Sequence, residues 1–225
     1  MRFDAVAFDL DGTLYPTHRL YALAWTRMLP RARALMAFSA ARMRMRALGS
    51  DPAHRRAPSA DGVAFRALQA DHVARRLGMG AAEAAAMIDR DFYRGPEGLF
   101  SRVRPFSGLV PALDALAASG LRIALLSDLP PLRKLGLMGL AGRFEPALCS
   151  EDSGFLKPAV EPFAMLASRM GLPPGRILYV GNNPWIDAAG AKAAGMASAI
   201  VTRRRVADAD LSFSDWRELV AFALG

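Results

Sequence analysis

The sequence predicts an α/β protein in which a parallel sheet carries a helical domain inserted after its first strand. Three short apolar runs that end in polar or small residues indicate buried parallel strands, at Ala5–Leu10, Arg122–Ser127 and Arg176–Gly181. From residue 105 onward, strand patterns alternate with helical ones, as in βαβ units. We therefore expect a Rossmann-like α/β core formed by residues 1–15 and 105–225, and a helical cap formed by residues 16–104.

The remaining elements follow from periodicity and from turn residues. After the first strand, apolar residues recur at helical spacing, and the helical pattern is interrupted near Pro30 because proline lacks a backbone donor. A polar, turn-rich connection at Asp51–Gly62 precedes two more helices. The predicted helices of the insertion are Ala64–Leu77 and Ala81–Tyr93, and those of the core are Leu109–Ala118, Leu132–Gly139, Val160–Met170, Trp185–Ala194 and a last one near Asp215–Leu224. Weaker strand patterns lie at Pro146–Ser150 and Ala197–Val201.

The composition excludes several classes of protein. The chain has 225 residues, of which 52% are hydrophobic and 22% charged, so it can bury a large core and is not intrinsically disordered. Its single cysteine, Cys149, excludes an internal disulfide and a cysteine-based metal site. No apolar stretch is long enough to span a membrane, and acidic residues interrupt the start of the sequence where a secretory signal needs an apolar run. We expect a cytoplasmic protein.

The net charge of +8 is concentrated in the predicted cap. Between residues 16 and 105 there are 16 arginines and 7 acidic residues, whereas the remainder carries 13 basic and 14 acidic residues. A solvated helix face, an electropositive cap that attracts an anionic substrate and a nucleic-acid surface all remain open as explanations. The arginines that would form a nucleic-acid surface are Arg27, Arg31, Arg33, Arg42, Arg44 and Arg46. Their spacing scatters them around a helix, so nucleic-acid binding is the less favoured interpretation.

Two carboxylates follow the first predicted strand. In an extended chain Asp9 and Asp11 point to the same side, because side chains alternate with a period of two. Two adjacent carboxylates repel each other and need a cation or a shared proton. An acidic turn before Gly12 is the ordinary alternative.

Polar residues also end the other predicted strands. Ser127 and Asp128, whose hydroxyl and amide can bind an oxyanion, follow the second strand. Lys157 follows the weaker strand pattern at Pro146–Ser150. Asn182 and Asp187 follow the strand at Arg176–Gly181. Each is ordinary by itself: a turn, a surface lysine, or an acid that complements a helix dipole. Because ligands of open α/β sheets bind at the carboxyl ends of the strands, their recurrence at successive ends predicts a binding site.

These motifs resemble those of the haloacid dehalogenase superfamily. The family's first motif is hhhhDxDGT, where h is an apolar residue and x is any residue, and it matches VAFDLDGTL. The second motif, an apolar strand that ends in Ser or Thr, matches IALLSD. The third, Lys before Pro, matches LKPAVEPF, and the fourth matches GNNPWIDAAGAKAAGM. All four occur in the family's order, with a long insertion after the first, where the family commonly carries a helical cap.

The resemblance implies a Mg²⁺-dependent hydrolase of a small phosphorylated metabolite. Asp9 would be the nucleophile that forms an aspartyl-phosphate, and Asp11 the general acid and base. Ser127, Asp128 and Lys157 would bind the phosphoryl oxygens. The Mg²⁺ ligands would come from Asp9, Asp11, Asn182 and Asp187.

Asn182 departs from the family's pattern, which has an aspartate at this position. The amide carries no charge, so weaker Mg²⁺ binding, metal binding only with substrate phosphate, and loss of activity are each consistent with it. A metal-independent dehalogenase is the alternative within the family, although Asp11 is of little use to a departing halide. Phosphomutase chemistry would need a second phosphate site that the sequence does not show.

The sequence leaves the identity of the substrate open. Phe106 and Trp185 lie near the expected cleft, and His18 is a candidate for its rim. The last helix has an apolar stripe, but the sheet can bury this stripe within one chain. The stripe therefore does not decide whether the protein forms a homo-oligomer.

Overall fold

The computed structural model describes residues 2–49, 61–95 and 97–225. The strands are β1 (Ala5–Phe8), β2 (Arg122–Ser127), β3 (Ala147–Cys149), β4 (Ile177–Gly181), β5 (Ala197–Val201) and β6 (Leu211–Phe213). They form one six-stranded parallel sheet in the order β3-β2-β1-β4-β5-β6. The predicted parallel sheet is confirmed. We did not predict β6, because its three residues, Leu211–Phe213, include a serine and form no apolar run.

The helices of the insertion follow β1 directly. They are α1 (Thr17–Met28), α2 (Ala32–Gly49), α3 (Gly62–Leu77), α4 (Ala81–Ile88) and α5 (Glu97–Phe100). A 3₁₀ turn at Leu29–Arg31 separates α1 from α2, at the predicted interruption near Pro30. A π-helical turn at Asp89–Arg94 ends the region that we predicted as one helix to Tyr93. Most of the predicted connection at Asp51–Gly62 lies outside the described residues.

The helices of the core alternate with the later strands. They are α6 (Leu109–Ala118), α7 (Leu132–Leu137), α8 (Val160–Met170), α9 (Ala189–Ala193) and α10 (Trp216–Leu224). The helix predicted from Trp185 begins instead as a π-helical turn at Pro184–Ala188. At α10, Asp215 and Glu218 form a reciprocal capping box, which fixes the start of the helix.

Alternation along β1 divides the core between the two faces of the sheet. Val6 and Phe8 contribute to a cluster with residues of α6 and α10, including Leu113 and Trp216. Ala5 and Ala7 contribute to the opposite cluster with residues of α8 and α9. All four β1 residues are fully buried, so the sheet is covered on both faces. The apolar stripe of α10 is thus buried within one chain.

The insertion has a core of its own. Apolar residues of α2, α3 and α4 form a separate cluster that includes Phe38, Val73 and Met87. After α5 the chain returns to the sheet, where Phe100 and Val103 join the larger cluster beside α6. Arg42 of α2 donates to the Asp128 carbonyl after β2 and to Glu151 after β3, so this helix lies over the loops at the carboxyl ends of these strands. No described helix has the length and apolar character that a membrane crossing requires.

Candidate active site

Asp9 lies immediately after β1 and is held by two groups. Its Oδ1 accepts a hydrogen bond from Lys157 Nζ at 2.7 Å, and its Oδ2 accepts one from Thr13 Oγ1 at 2.9 Å. The residue is only 6% exposed. Burial and the nearby Asp187 raise the pKa of Asp9 to about 7, although Lys157 opposes this shift. A second cation beside Asp9 would favour its ionised form.

Lys157 connects the carboxylates of two strand ends. Its Nζ lies 2.7 Å from Asp9 Oδ1 and 2.9 Å from Asp187 Oδ1, and it also contacts the Tyr179 hydroxyl at 2.9 Å. Burial lowers the pKa of this ammonium, but the attraction of Asp187 and Asp9 outweighs burial and raises it. Lys157 therefore stays charged and offsets the repulsion between the two acids.

Asp187 is fixed by the loop that follows β4. Its Oδ2 accepts hydrogen bonds from the backbone N–H groups of Asn182 at 3.1 Å and Asn183 at 3.0 Å, while Lys157 occupies Oδ1. A Cβ at Gly181 would overlap the Asp187 side chain, so a glycine is needed for this close approach. With both oxygens engaged, Asp187 acts in this structure as a positioning residue for Lys157 and for the loop.

Asp11 lies at the mouth of the site rather than beside Lys157. It accepts hydrogen bonds from the Tyr15 hydroxyl and from Lys134 Nζ, the latter at 3.0 Å to Oδ2. Burial and the Asp11 charge raise the pKa of Tyr15, so this hydroxyl remains a donor. Lys134 is 4% exposed, whereas the Asp11 side chain is 32% exposed. Asp11 thus keeps access to a substrate.

Asn182 and Asp9 both contact the hydroxyl group of Thr13. Thr13 Oγ1, which donates to Asp9, also lies 3.4 Å from Asn182 Oδ1. Gly12 makes this approach possible, because it has a φ of +93° and a Cβ there would overlap the Asn182 side chain. Asn183 Oδ1 instead accepts hydrogen bonds from Trp185 N and Ile186 N and caps the turn that follows.

Ser127 and Asp128 follow β2. Ser127 is fully buried, and its Oγ accepts a hydrogen bond from Leu129 N at 3.2 Å, which leaves the hydroxyl proton to be donated. The Asp128 carboxylate accepts from Lys157 N at 3.3 Å and from Arg46 at 2.6 Å. A contribution of Asp128 to phosphate binding would therefore come from its backbone N–H, and its carboxylate connects the strand end to α2.

The other sequence candidates differ in their surroundings. Trp185 is 82% exposed, and Phe106 packs against the larger core cluster. His18 is exposed and is absent from the lining of the cavity beside Asp11. Among the predicted arginines, Arg42 and Arg46 point toward the core domain, and the side chain of Arg27 lies outside the described residues.

Sequence reasoning missed Lys134, Tyr15 and Tyr179. Lys134 lies in α7, seven residues beyond Ser127, and nothing in its local sequence distinguishes it from a surface lysine. Tyr15 had a usable sequence signal, because it lies four residues after Asp11; in the structure it is fully buried. The structure brings these side chains together with Asp9, Asp11, Lys157 and Asp187 at one edge of the sheet.

Comparison with known proteins gives a consistent family. The model of haloacid dehalogenase-like hydrolases matches residues 3–195. A glyceraldehyde 3-phosphate phosphatase of Methanothermobacter thermautotrophicus is 32% identical over 114 residues, which is 49% of this chain and 50% of the relative. An N-acetylmuramic acid 6-phosphate phosphatase of Pseudomonas aeruginosa is 26% identical over 186 residues, or 81% of this chain and 75% of the relative.

Solved structures extend the likeness to the whole fold. The L-2-haloacid dehalogenase RSc1362 superposes with a TM-score of 0.66 at 23% identity, covering 100% of both chains. At this identity the likeness concerns the fold alone. This chain spans about half the length of the glyceraldehyde 3-phosphate phosphatases that it matches.

Proposed function

The chain belongs to the haloacid dehalogenase-like hydrolases, and from this premise we propose that it hydrolyses phosphomonoesters of small metabolites. The observation that carries the proposal is the position of Asp9, whose carboxylate lies between Lys157 and Thr13 at the carboxyl edge of the sheet. Asp11 lies two residues away with a partly exposed carboxyl group. The relatives with phosphatase names support a phosphate ester as substrate.

In the proposed reaction, an Asp9 oxygen attacks phosphorus, and the bond between phosphorus and the ester oxygen breaks. Asp11 donates its proton to the departing alkoxide, so the alcohol leaves neutral. Asp11 then accepts a proton from water as that water attacks phosphorus and releases Asp9 and inorganic phosphate. Lys157 and the groups at Ser127 stabilise the negative oxygens of the phosphoryl group during both steps.

The donor set fits Mg²⁺ because it consists of oxygen atoms. The Asp9 carboxylate, the Asp11 carbonyl and the Asn182 amide would hold the ion, and Asp187 would act through Lys157 or through water. A bound Mg²⁺ would neutralise charge on the phosphoryl oxygens. The set holds one carboxylate ligand where an aspartate at position 182 would provide a second, so we expect weak binding.

Phosphate release from acetyl phosphate and from 4-nitrophenyl phosphate tests the proposal, with Mg²⁺ and with EDTA. Asp9→Asn should abolish turnover because the amide is not a nucleophile, while Asp114→Asn, at an exposed ion pair, should not. Turnover by Asp9→Asn at the wild-type rate, in preparations that a mock purification shows to be free of other phosphatases, would contradict the proposal. We further place the protein in the cytoplasm, in keeping with the buried, free thiol of Cys149.

A metal-independent dehalogenase is the second candidate, favoured by the contact between Lys157 and Asp9. This ammonium already offsets the charge of the nucleophile without a metal ion. Chloride release from 2-chloropropionate in EDTA, without phosphate release from any ester, would favour this candidate. The hydrogen-bonded Asp11 argues against it, since a departing halide needs no proton.

A further inference from the structure

A cavity of about 410 Å³ opens beside Asp11, between the helices of the insertion and the core. Its walls are mainly aliphatic and aromatic side chains from α1, α2 and the segments around α5. The principal apolar lining residues are Leu20, Leu35, Phe38, Phe92, Phe100 and Leu129. This volume lies within the range of small-molecule sites, and it is large for the body of a two- or three-carbon metabolite.

The charged side chains in the lining are paired within the protein. Lys134 contacts Asp11, and Arg31 contacts Asp91. Arg42 and Arg46 also line the cavity, and they pair with Glu151 and Asp128. Among the described lining residues, therefore, each charge already has an opposite charge beside it. A second anionic group on the substrate would have to displace one of these pairs.

Uncharged polar side chains are a minority of the lining. Of the hydroxyl residues in the lining, Thr17 is half-buried and Tyr21 and Ser39 are exposed, while the Tyr15 hydroxyl is committed to Asp11. A polyhydroxylated body would leave hydroxyl groups without partners against the apolar walls, at a cost in binding free energy. An apolar body would instead gain from leaving water.

The cavity meets the site on the side of the leaving group. Asp11, the proposed proton donor to the ester oxygen, belongs to its lining, and Asp9 and Lys157 do not. We infer that the cavity binds the alcohol portion of the substrate, and that this portion is apolar and uncharged: an aromatic or branched aliphatic alcohol esterified to phosphate. This inference rests on the proposed function and assigns it a substrate class.

Binding of non-hydrolysable phosphonates tests the substrate class without requiring turnover. In calorimetry with Mg²⁺ present, 3-phenylpropylphosphonate should bind at least tenfold more tightly than 3,4-dihydroxybutylphosphonate. In turnover, 2-phenylethyl phosphate should likewise exceed glycerol 1-phosphate in kcat/KM by tenfold or more. Both esters have primary alcohols as leaving groups, so the comparison reports mainly on the body of the substrate.

Variants that fill the cavity provide the structural control. Ala24 is buried in α1 and lines the cavity, so Ala24→Phe should remove most of the preference for the phenyl compound and keep turnover of acetyl phosphate. Ala22→Phe, at an exposed position of the same helix outside the lining, should retain the preference. Should Ala24→Phe not fold, Ser39→Phe fills the same cavity from an exposed position.

The outcomes separate the two proposals. Equal binding of the two phosphonates, or a preference that both filling variants leave unchanged, would overturn the apolar substrate class even if Asp9-dependent turnover of acetyl phosphate is found. Preferential binding of 3-phenylpropylphosphonate that the filling variants remove, without turnover of any ester, would support the cavity and overturn the phosphatase proposal.

Discussion

At the scale of single residues, the site is an arrangement of three acids and two lysines with unequal burial. Asp9 and Asp187 are almost fully buried and share Lys157, whereas Asp11 is partly exposed and has its own Lys134. The buried group around Lys157 and the partly exposed pair of Asp11 and Lys134 therefore differ in their surroundings. In the proposed reaction Asp9 is the fixed nucleophile, and the more exposed Asp11 is the proton donor to the leaving group.

Asn182→Asp should strengthen Mg²⁺ binding, because a carboxylate adds a negative charge to the ligand set. The Mg²⁺ concentration that gives half-maximal phosphatase activity should fall about tenfold or more. Asn183→Asp is the matched control: its side chain caps the following turn, where aspartate caps equally well. Saturation of the wild-type enzyme at micromolar Mg²⁺ would contradict the expected weak site.

Lys134→Met should lower kcat by about tenfold or more, because Lys134 Nζ holds the Asp11 carboxyl group at the mouth of the site and the variant loses this positioning. Because Asp11 is proposed to protonate the leaving oxygen, the loss should be larger for an alkyl phosphate than for 4-nitrophenyl phosphate, whose leaving group needs less proton donation. Lys192→Met removes an exposed pair with Asp208 and should change neither rate. An equal loss with both substrates would indicate a general structural effect.

At the scale of elements, α2 joins the insertion to the loops that carry the site. Arg46 donates to the Asp128 carboxylate at 2.6 Å and to the Lys157 carbonyl at 3.2 Å. One turn earlier, Arg42 donates to the Asp128 carbonyl and to the buried Glu151. Since the Asp128 carboxylate also accepts a hydrogen bond from the Lys157 backbone, the position of α2 and that of Lys157 are linked.

Arg42→Met should destabilise the protein by about 3–5 kcal/mol, because Glu151 would remain as a buried, uncompensated charge. Arg143→Met breaks the exposed pair with Asp114 and should cost about 0–1 kcal/mol. Denaturant unfolding measures both. Adding Glu151→Gln to Arg42→Met should recover part of the loss. Equal, small losses in the two single variants would show that the buried pair contributes little.

At the scale of the whole molecule, the charged pairs between the insertion and the core are expected to depend on pH. Burial tends to raise the pKa of Asp128, but Lys157, Arg42 and Arg46 outweigh it and lower the pKa. A carboxyl group whose pKa is lower in the folded state stabilises the fold above its unfolded value near 3.8, and this contribution is lost as the pH falls through the folded value.

Asp128→Asn should therefore destabilise the protein by about 1.5–3 kcal/mol at pH 6, the range for a hydrogen bond to a charged group. The difference in unfolding free energy between wild type and variant should shrink as the pH falls below about 4. Urea unfolding from pH 6 to pH 3 measures it. A difference that stays constant over this range would mean that the negative charge of Asp128 does not stabilise the fold.

The sequence by itself determined the sheet and the edge at which the site lies. Buried parallel strands are short apolar runs, and their polar ends must meet at one edge, so Asp9, Ser127, Lys157 and Asn182 could be placed together although they are distant along the chain. The β1–β2 and β1–β4 pairings agree with this prediction. The assignments of catalytic and metal-binding roles to these residues remain predictions.

Only the tertiary structure decided which partners complete the site. Lys134 contacts Asp11 across 123 residues, and Arg42 contacts Glu151 across 109. Both basic residues lie on helices, where a buried lysine or arginine has the same local pattern as a solvated one. The cavity likewise depends on how the insertion packs over the strand ends, which local sequence does not encode. Strand ends can be read from local apolar runs and chain order, whereas long-range side-chain contacts are decided by packing alone.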